Sequence, residues 1–361
     1  MIPLVKVLMP PPDTLMPALE QVLYSGMIAE GEAVYAFEKA FAQKFGHREA
    51  LALNSGTAAL HLALLLCGVE PGDEVITTSM TAEPTNTTII QLGAHPVFSD
   101  VDPATGNLSP DSVESLIGER TAAICVVHYA GYPADIEALR AIADRRGIAL
   151  VEDCAHALGA MVGDRPIGTF GDAAIFSLQA IKHMTTVDGG MLIARDPTLI
   201  DEARRLRWFG LSKGVPRTEV DIKRAGFKYN MSNVAATIGL HQLDQIDAVI
   251  ARHKENGRFL DRELAQLPAI APCPVAANAD PSYWLYTLRA ENSDHLIARL
   301  EAAGIGASKL HRPNHLHSVF APYRRSLPGL DAFYADLVHL PCGWWVEPDQ
   351  RRHIIDTIKA A

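Results

Sequence analysis

The sequence predicts an α/β fold, a mainly parallel sheet covered by helices, followed by a smaller α+β unit. Three observations lead there. Short β-branched apolar runs alternate with amphipathic helical patterns through most of the chain up to about residue 245. A long charged helical pattern then begins, and a Pro/Ala-rich stretch follows it. The length of 361 residues suits about two domains at roughly 150 residues each.

Taken in order, residues 49–54 read as a strand, followed by a turn and a helix over 57–66. The turn Pro71-Gly72-Asp73 leads into a strand at 74–78, then a helix at 84–92 and a strand at 96–100. Residues 122–127 form the next strand, 136–145 a helix and 148–152 another strand, and Gly189-Gly190 turns into a strand at 191–194. This alternation implies βαβ crossovers. From 243 to 267 one charged helix bridges to a second unit. Residues 268–280 read as loop, 283–289 as strand, 294–303 as helix, and a last helix starts at 349. The expected division is a large domain over 12–245 and a small domain over 246–361. No solenoid repeat or low-complexity tract interrupts it.

Composition narrows the partners. Thirty-two Lys+Arg against 42 Asp+Glu leave a net charge of −10, which disfavours broad contact with nucleic acid or anionic membranes. The longest apolar run, residues 58–69, is interrupted by His61 and is too short to span a bilayer. Five scattered cysteines without a CxxC pair predict neither a disulfide framework nor a zinc ribbon. The N-terminal MIPLVKVLMPPPD does not read as a signal peptide. A cytoplasmic, reducing location is the expectation.

Four places could carry chemistry. Asn54-Ser55-Gly56-Thr57 lies between a strand and a helix, where free N–H groups and hydroxyls can hold a phosphate; an ordinary helix N-cap fits the same residues. No GxGxxG occurs, and Gly163-x-x-x-x-Gly168-Thr169 lacks the lysine of a nucleotide P-loop. Asp153 closes an apolar strand, at the end where open α/β sheets bind ligands, or else caps the next turn. His156 follows three residues later, and alone it would read as a structural histidine. Lys182 is the sharpest: residues 171–195 hold only Asp172, Lys182, Asp188 and Arg195 as charged side chains. A lone ammonium in FSLQAIKHMTTVDGG is poorly explained as a solvated face, although a chance surface lysine fits too. Desolvation would make its neutral amine available for Schiff-base chemistry. An anion cradle, a strand-end carboxylate and a semi-buried lysine together suit pyridoxal phosphate (PLP).

The ordered blocks NSGTAALHLALLLCGVEPGDEVITTSMT, GAHPVFSDVDPATGN, VEDCAHALGA, FSLQAIKHMTTVDGG, GFKYNMSNVAATIGLHQL and AGIGASKLHRPNHLH resemble the DegT/DnrJ/EryC1/StrS aminotransferases. The resemblance covers nearly the whole chain. It implies the fold-type I PLP-transferase architecture, with a seven-stranded-type sheet, and a homodimer whose active sites lie at the interface. By position it implies Lys182 as the Schiff-base lysine and Asp153 as the partner of the pyridine nitrogen. His156 would lie near the phenolic oxygen; Ser55, Gly56, Thr57 and Ser177 would hold the phosphate, with Gln179 lining the site. Asn230, or else Lys228, would reach the phosphate of the second subunit. The implied reaction takes an amino group from a donor such as L-glutamate, through pyridoxamine phosphate, to a keto-sugar, in this family mostly a nucleotide-linked one; a free acidic keto-sugar or a cyclitol ketone is the alternative acceptor. A PLP-dependent sugar dehydratase is the nearest alternative, and some of those replace the lysine with histidine. A non-catalytic PLP-fold protein would not need Lys182.

Two departures from the family stand out. The family usually has an aromatic ring after Ser79-Met80-Thr81, where this chain has Ala82, so cofactor stacking must come from elsewhere or be weaker. The segment His311-Arg312-Pro313-Asn314-His315-Leu316-His317 replaces a His-Tyr-containing one. His311, Arg312 and Asn314 are the expected substrate contacts, with Arg312 suited to a carboxylate or phosphate. Pro313 spoils helical spacing of the histidines and no acidic cluster accompanies them, so no metal is expected.

Overall fold

The computed structural model describes residues 1–360. Seven strands, Leu51–Leu53, Glu74–Thr78, His95–Ser99, Thr121–Val127, Ala149–Asp153, Ala173–Ser177 and Gly190–Ala194, make one sheet. Across it the order is 51–53, 190–194, 173–177, 149–153, 121–127, 74–78, 95–99. Only Gly190–Ala194 runs against its neighbours. The other six strands therefore end at one edge, and the loops that follow them converge there.

The apolar runs are continuous because both faces of the sheet are covered. Ile124 and Val126 face a core shared with the helices Glu32–Lys44 and Ile136–Arg146; Ala123 and Cys125 face another, shared with the helix Gly56–Leu66. That last helix is buried from Ala58 to Leu64 and apolar there except for His61, whose Nδ1 pairs with the Tyr229 hydroxyl, as suits a helix enclosed by protein. A third core gathers Leu260, Trp284, Tyr286, Phe320 and Phe333 with Phe98 from the strand His95–Ser99 and with Met80 and Tyr129 from loops at the sheet's carboxyl edge. The second unit thus closes over that edge rather than hanging from it.

Where a sheet strand or connecting helix was expected, its observed boundaries differ by no more than two residues, and the strand Ala173–Ser177 was not expected. Other differences are larger. The helical pattern over 243–267 is the helix Ile246–Leu264, preceded by a separate helix, Asn233–Leu243. Residues 268–280, expected as loop, include the strand Ile270–Pro272, which pairs antiparallel with Ala290 to Leu288. Pairing supplied by the rest of the fold creates this strand, and Pro272 is tolerated because the strand lies at the sheet's edge. The helices Pro12–Leu23 and Glu32–Lys44 were not legible as elements. All five cysteines are free, and four of them are buried. No described helix is long and apolar enough to cross a membrane.

Candidate active site

A cavity of about 400 Å³ opens at the carboxyl edge of the sheet. Ser55, Gly56, Thr57, Asp153, His156, Ser177, Gln179, Lys182 and His311 all line it, which brings nine of the sequence-predicted residues together.

The cradle is built by close approach. Ser55 Oγ accepts from the Ala58 N–H at 3.0 Å, capping the helix Gly56–Leu66. A Cβ on Gly56 would lie 2.9 Å from Ser177 Cβ, and one on Gly190 would lie 2.4 Å from the Ser55 carbonyl oxygen. Three chain segments meet there with no room for another side chain. Ser177 Oγ faces the helix start, so hydroxyls and first-turn N–H groups gather at the positive end of the helix dipole. A phosphate dianion suits this donor set.

Asp153 is buried, and two donors fix it. Thr85 Oγ1 donates to Oδ2 at 2.8 Å and the Ala155 N–H to Oδ1 at 3.1 Å. Burial raises its pKa above the usual carboxylate range, against the pull of those hydrogen bonds and of Lys182. Burial pushes Lys182 the other way, down to about 7, with Asp153 as the opposing influence. The two groups share one cavity, and each partly offsets there what burial does to the charge of the other. A protonated pyridine nitrogen suits Asp153, and an aldehyde suits the neutral amine of Lys182.

His156 accepts from the Ala130 N–H at Nδ1, at 3.3 Å, so its proton sits on Nε2. Burial, then Lys182 and His311, hold its pKa well below the ordinary value. It is a neutral donor. Four of the five non-glycine residues with positive φ, Ala130, Val187, Tyr283 and Leu310, lie at or next to residues of the cavity. Strained backbone of this kind persists only where the surroundings enforce it.

Glu152, adjacent to Asp153, points to the opposite face of the sheet, as strand alternation requires. It accepts from the N–H groups of Gly168, Phe170 and Gly171, and from His128 Nε2 at 3.2 Å. Burial alone would raise its pKa, but these donors, His128 first, hold it below the usual value. Glu152, His128 and Cys154 bring ligand-type atoms within 4.8 Å of one another. His128 Nδ1 is already taken by the Ala134 N–H, and the Glu152 oxygens by four donors, so hydrogen bonding accounts for this cluster. Glu152→Gln would turn an amide toward three N–H donors. It is expected to lower unfolding stability by about 3 kcal/mol, read by urea denaturation.

The remaining predicted residues lie elsewhere. Asn314 is fully buried: its amide donates to the Thr81 carbonyl at 2.7 Å and accepts from Asn86 Nδ2 at 2.9 Å. That ties the loop after strand Glu74–Thr78 to the second unit, and no part of Asn314 lines the cavity. Arg312 is exposed and also outside the lining. Lys228 Nζ donates to Asn230 Oδ1 at 2.6 Å and lies over the Trp208 ring. Neither Lys228 nor Asn230 lines this chain's own cavity. His311, His315 and His317 diverge, His315 bonding Ser79 Oγ and His317 facing Glu83.

Sequence reasoning missed Thr85 and Trp284. Thr85 lies in a polar run, TAEPTNTT, that marks nothing, while Trp284 reads as one more apolar residue of a strand. Ala82 does line the cavity, and no aromatic ring stands at that position.

A helix-start phosphate cradle, a strand-end aspartate and a desolvated lysine on a mainly parallel sheet define a pyridoxal-phosphate enzyme of the α/β class. The profile of the DegT/DnrJ/EryC1/StrS aminotransferase family matches residues 13–359. The chain belongs to that family, and it is a PLP-dependent aminotransferase. Solved structures agree closely. The sugar aminotransferase CalS13 from Micromonospora echinospora is 38% identical over 100% of both chains, with a TM-score of 0.96. AtS13 from Actinomadura melliaura is 36% identical over 100% of this chain and 99% of its own, with a TM-score of 0.97. DesV from S. venezuelae, solved in complex with a ketimine intermediate, is 33% identical over 96% of this chain and 94% of its own, with a TM-score of 0.90.

Proposed function

We propose that the protein transfers the amino group of an amino acid, L-glutamate in the first instance, to the carbonyl of a nucleotide-linked keto-sugar. The observation that carries the chemistry is the pairing of Lys182 with Asp153 in one cavity beside a glycine-walled anion cradle. The substrate class rests on the similarity to the sugar aminotransferase CalS13.

Pyridoxal phosphate, when bound, supplies an electron sink for the pair released when a Cα–H bond breaks. The chain's residues do the rest. Ser55, Gly56, Thr57 and Ser177 anchor the phosphate with N–H groups and hydroxyls. Asp153 would face the pyridine nitrogen and favour its protonated form. Lys182 would hold the cofactor through its amine and, once free as a neutral amine, would take the proton from Cα of the donor. The same amine returns a proton when the keto-sugar accepts the nitrogen. His156, a neutral donor, would hold the phenolic oxygen, and His311 would contribute to the substrate side.

The site belongs to a homodimer in this reading. Leu23, Tyr24, Met27 and Ile28 leave an exposed apolar cluster that a second copy would cover. Asn230 then completes the partner's phosphate site with Lys228 beside it. Asn230→Ala is expected to weaken PLP binding about tenfold, the loss of one hydrogen bond to a charged group. Equilibrium dialysis measures it, and an unchanged Kd would remove Asn230 from the site.

The test of the whole reading starts from the pyridoxamine form. Nucleotide-linked keto-sugars, free keto-sugars, a keto-uronate and a cyclitol ketone are offered in turn while the visible absorbance of the PLP form is followed. Recovery with the nucleotide-linked sugar alone is expected. Recovery only with an acidic ketone or a cyclitol would overturn the acceptor class.

A further inference from the structure

One aromatic side chain of the second unit enters the active site without a role in anything described so far. Trp284 is 2% exposed and lines the cavity. Its ring lies 3.9 Å from Lys182 Nζ and stacks on the His156 imidazole, with centroids 4.0 Å apart and planes 16° from parallel. Its Nε1–H donates to the Ile181 carbonyl at 2.9 Å, one residue before the lysine. A single indole thus holds the backbone beside Lys182, the amine itself and the ring of His156.

The backbone that delivers it is strained and gripped from several sides. Tyr283, immediately before it, has φ +47°, in the left-handed region that a bulky residue rarely occupies. His253 Nδ1–H donates to the Tyr283 carbonyl at 2.8 Å and His183 Nε2–H to the Ser282 carbonyl at 3.1 Å. The Ser282 N–H reaches the Gly131 carbonyl and the Leu285 N–H reaches that of Ala130. Two glycines make room. A Cβ on Gly131 would lie 2.7 Å from the Trp284 nitrogen, and one on Gly257 would lie 2.4 Å from the Tyr283 ring. Outliers this heavily constrained cluster at functional positions.

We propose that Trp284 is a positioning residue, a platform from the second unit that keeps water from the Lys182 amine and holds that amine and His156 in one register. The proposal rests on the reading of Lys182 as the catalytic amine. Burial is the main cause of the low pKa of Lys182, and Trp284 is the aromatic wall of the pocket nearest Nζ. Asp153, His156 and His311 also face the amine from other segments, and His183 beside it in the chain; Trp284→Ala removes none of these four groups. Losing the indole face removes a cation–π contact, which favours the charged amine, and also admits water from a cavity already open to solvent. The two effects oppose each other, and the burial effect is the larger.

The experiment follows the rate at which acetic anhydride acylates Lys182 in the full-length, cofactor-free chain, as a function of pH, by mass spectrometry of the peptide that contains it. The parent midpoint is expected at about 7. Trp284→Ala should raise it by about one pH unit or more, while Trp284→Phe, which keeps a ring face, stays within about half a unit. Trp284→Leu serves as a second variant without a ring should the alanine protein not fold, with a smaller rise. A ringless variant within half a unit of the parent, or a phenylalanine variant that moves as far as the ringless one, overturns the proposal. Borohydride reduction of the loaded parent tests the underlying reading separately. Cofactor fixed on Lys182 upholds that reading whatever Trp284 does, and cofactor fixed elsewhere sinks it.

Discussion

Lys182→Ala abolishes turnover. Glutamate-dependent transamination is expected to fall by at least about 10³-fold, since the change removes both the covalent anchor and the base that moves the proton at Cα. The same variant carries a stability signature in the cofactor-free protein. The folded-state pKa of Lys182 is about 7, against 10.5 ordinarily. Between those values the unfolded chain holds a proton that the folded one does not, so the parent gains stability as pH rises through that window. Below pH 7 the cost of the buried amine is felt in full. Lys182→Ala removes this dependence, and urea unfolding at pH 7 and pH 10 reads it. Full turnover in the variant would exclude Lys182 as the base, whatever its effect on stability.

Asp153→Ala is expected to cost about 10²-fold or more in turnover and to change the visible absorbance of bound PLP. The physical ground is the raised pKa of a carboxyl group buried against a cavity. With the cofactor bound, this carboxylate would stabilise a protonated pyridine nitrogen, and without it the ring would accept electrons poorly. Asp153→Asn is the sharper variant, because it preserves shape and the Thr85 contact while removing the charge. A parent-like spectrum and rate in Asp153→Asn would show that the charge is not what the site uses.

Six of the seven sheet strands and three of the helices that connect them were legible because strand ends, turns and apolar runs are local signals. Glu74–Thr78, with its Pro-Gly-Asp turn, is an example. Ile270–Pro272 was not legible, since only its pairing with Tyr286–Ala290 makes it a strand. In the site, Lys182 stood out as a lone charge and Asp153 as a strand end. Thr85 and Trp284 carry no such mark, because their roles arise from distance in space. Asn314 shows the converse: its chemistry suits a substrate contact, but the fold spends its amide on Thr81 and Asn86.

The paired carboxylates of Glu152 and Asp153 set a condition for anyone who would transplant this site. Asp153 can be aimed only if the strand holds its register, and Glu152 pins that register by gripping the N–H groups of Gly168, Phe170 and Gly171 on the far face. An engineered scaffold that copied every residue of the cavity but left out that distant loop would inherit the ligands and lose their alignment.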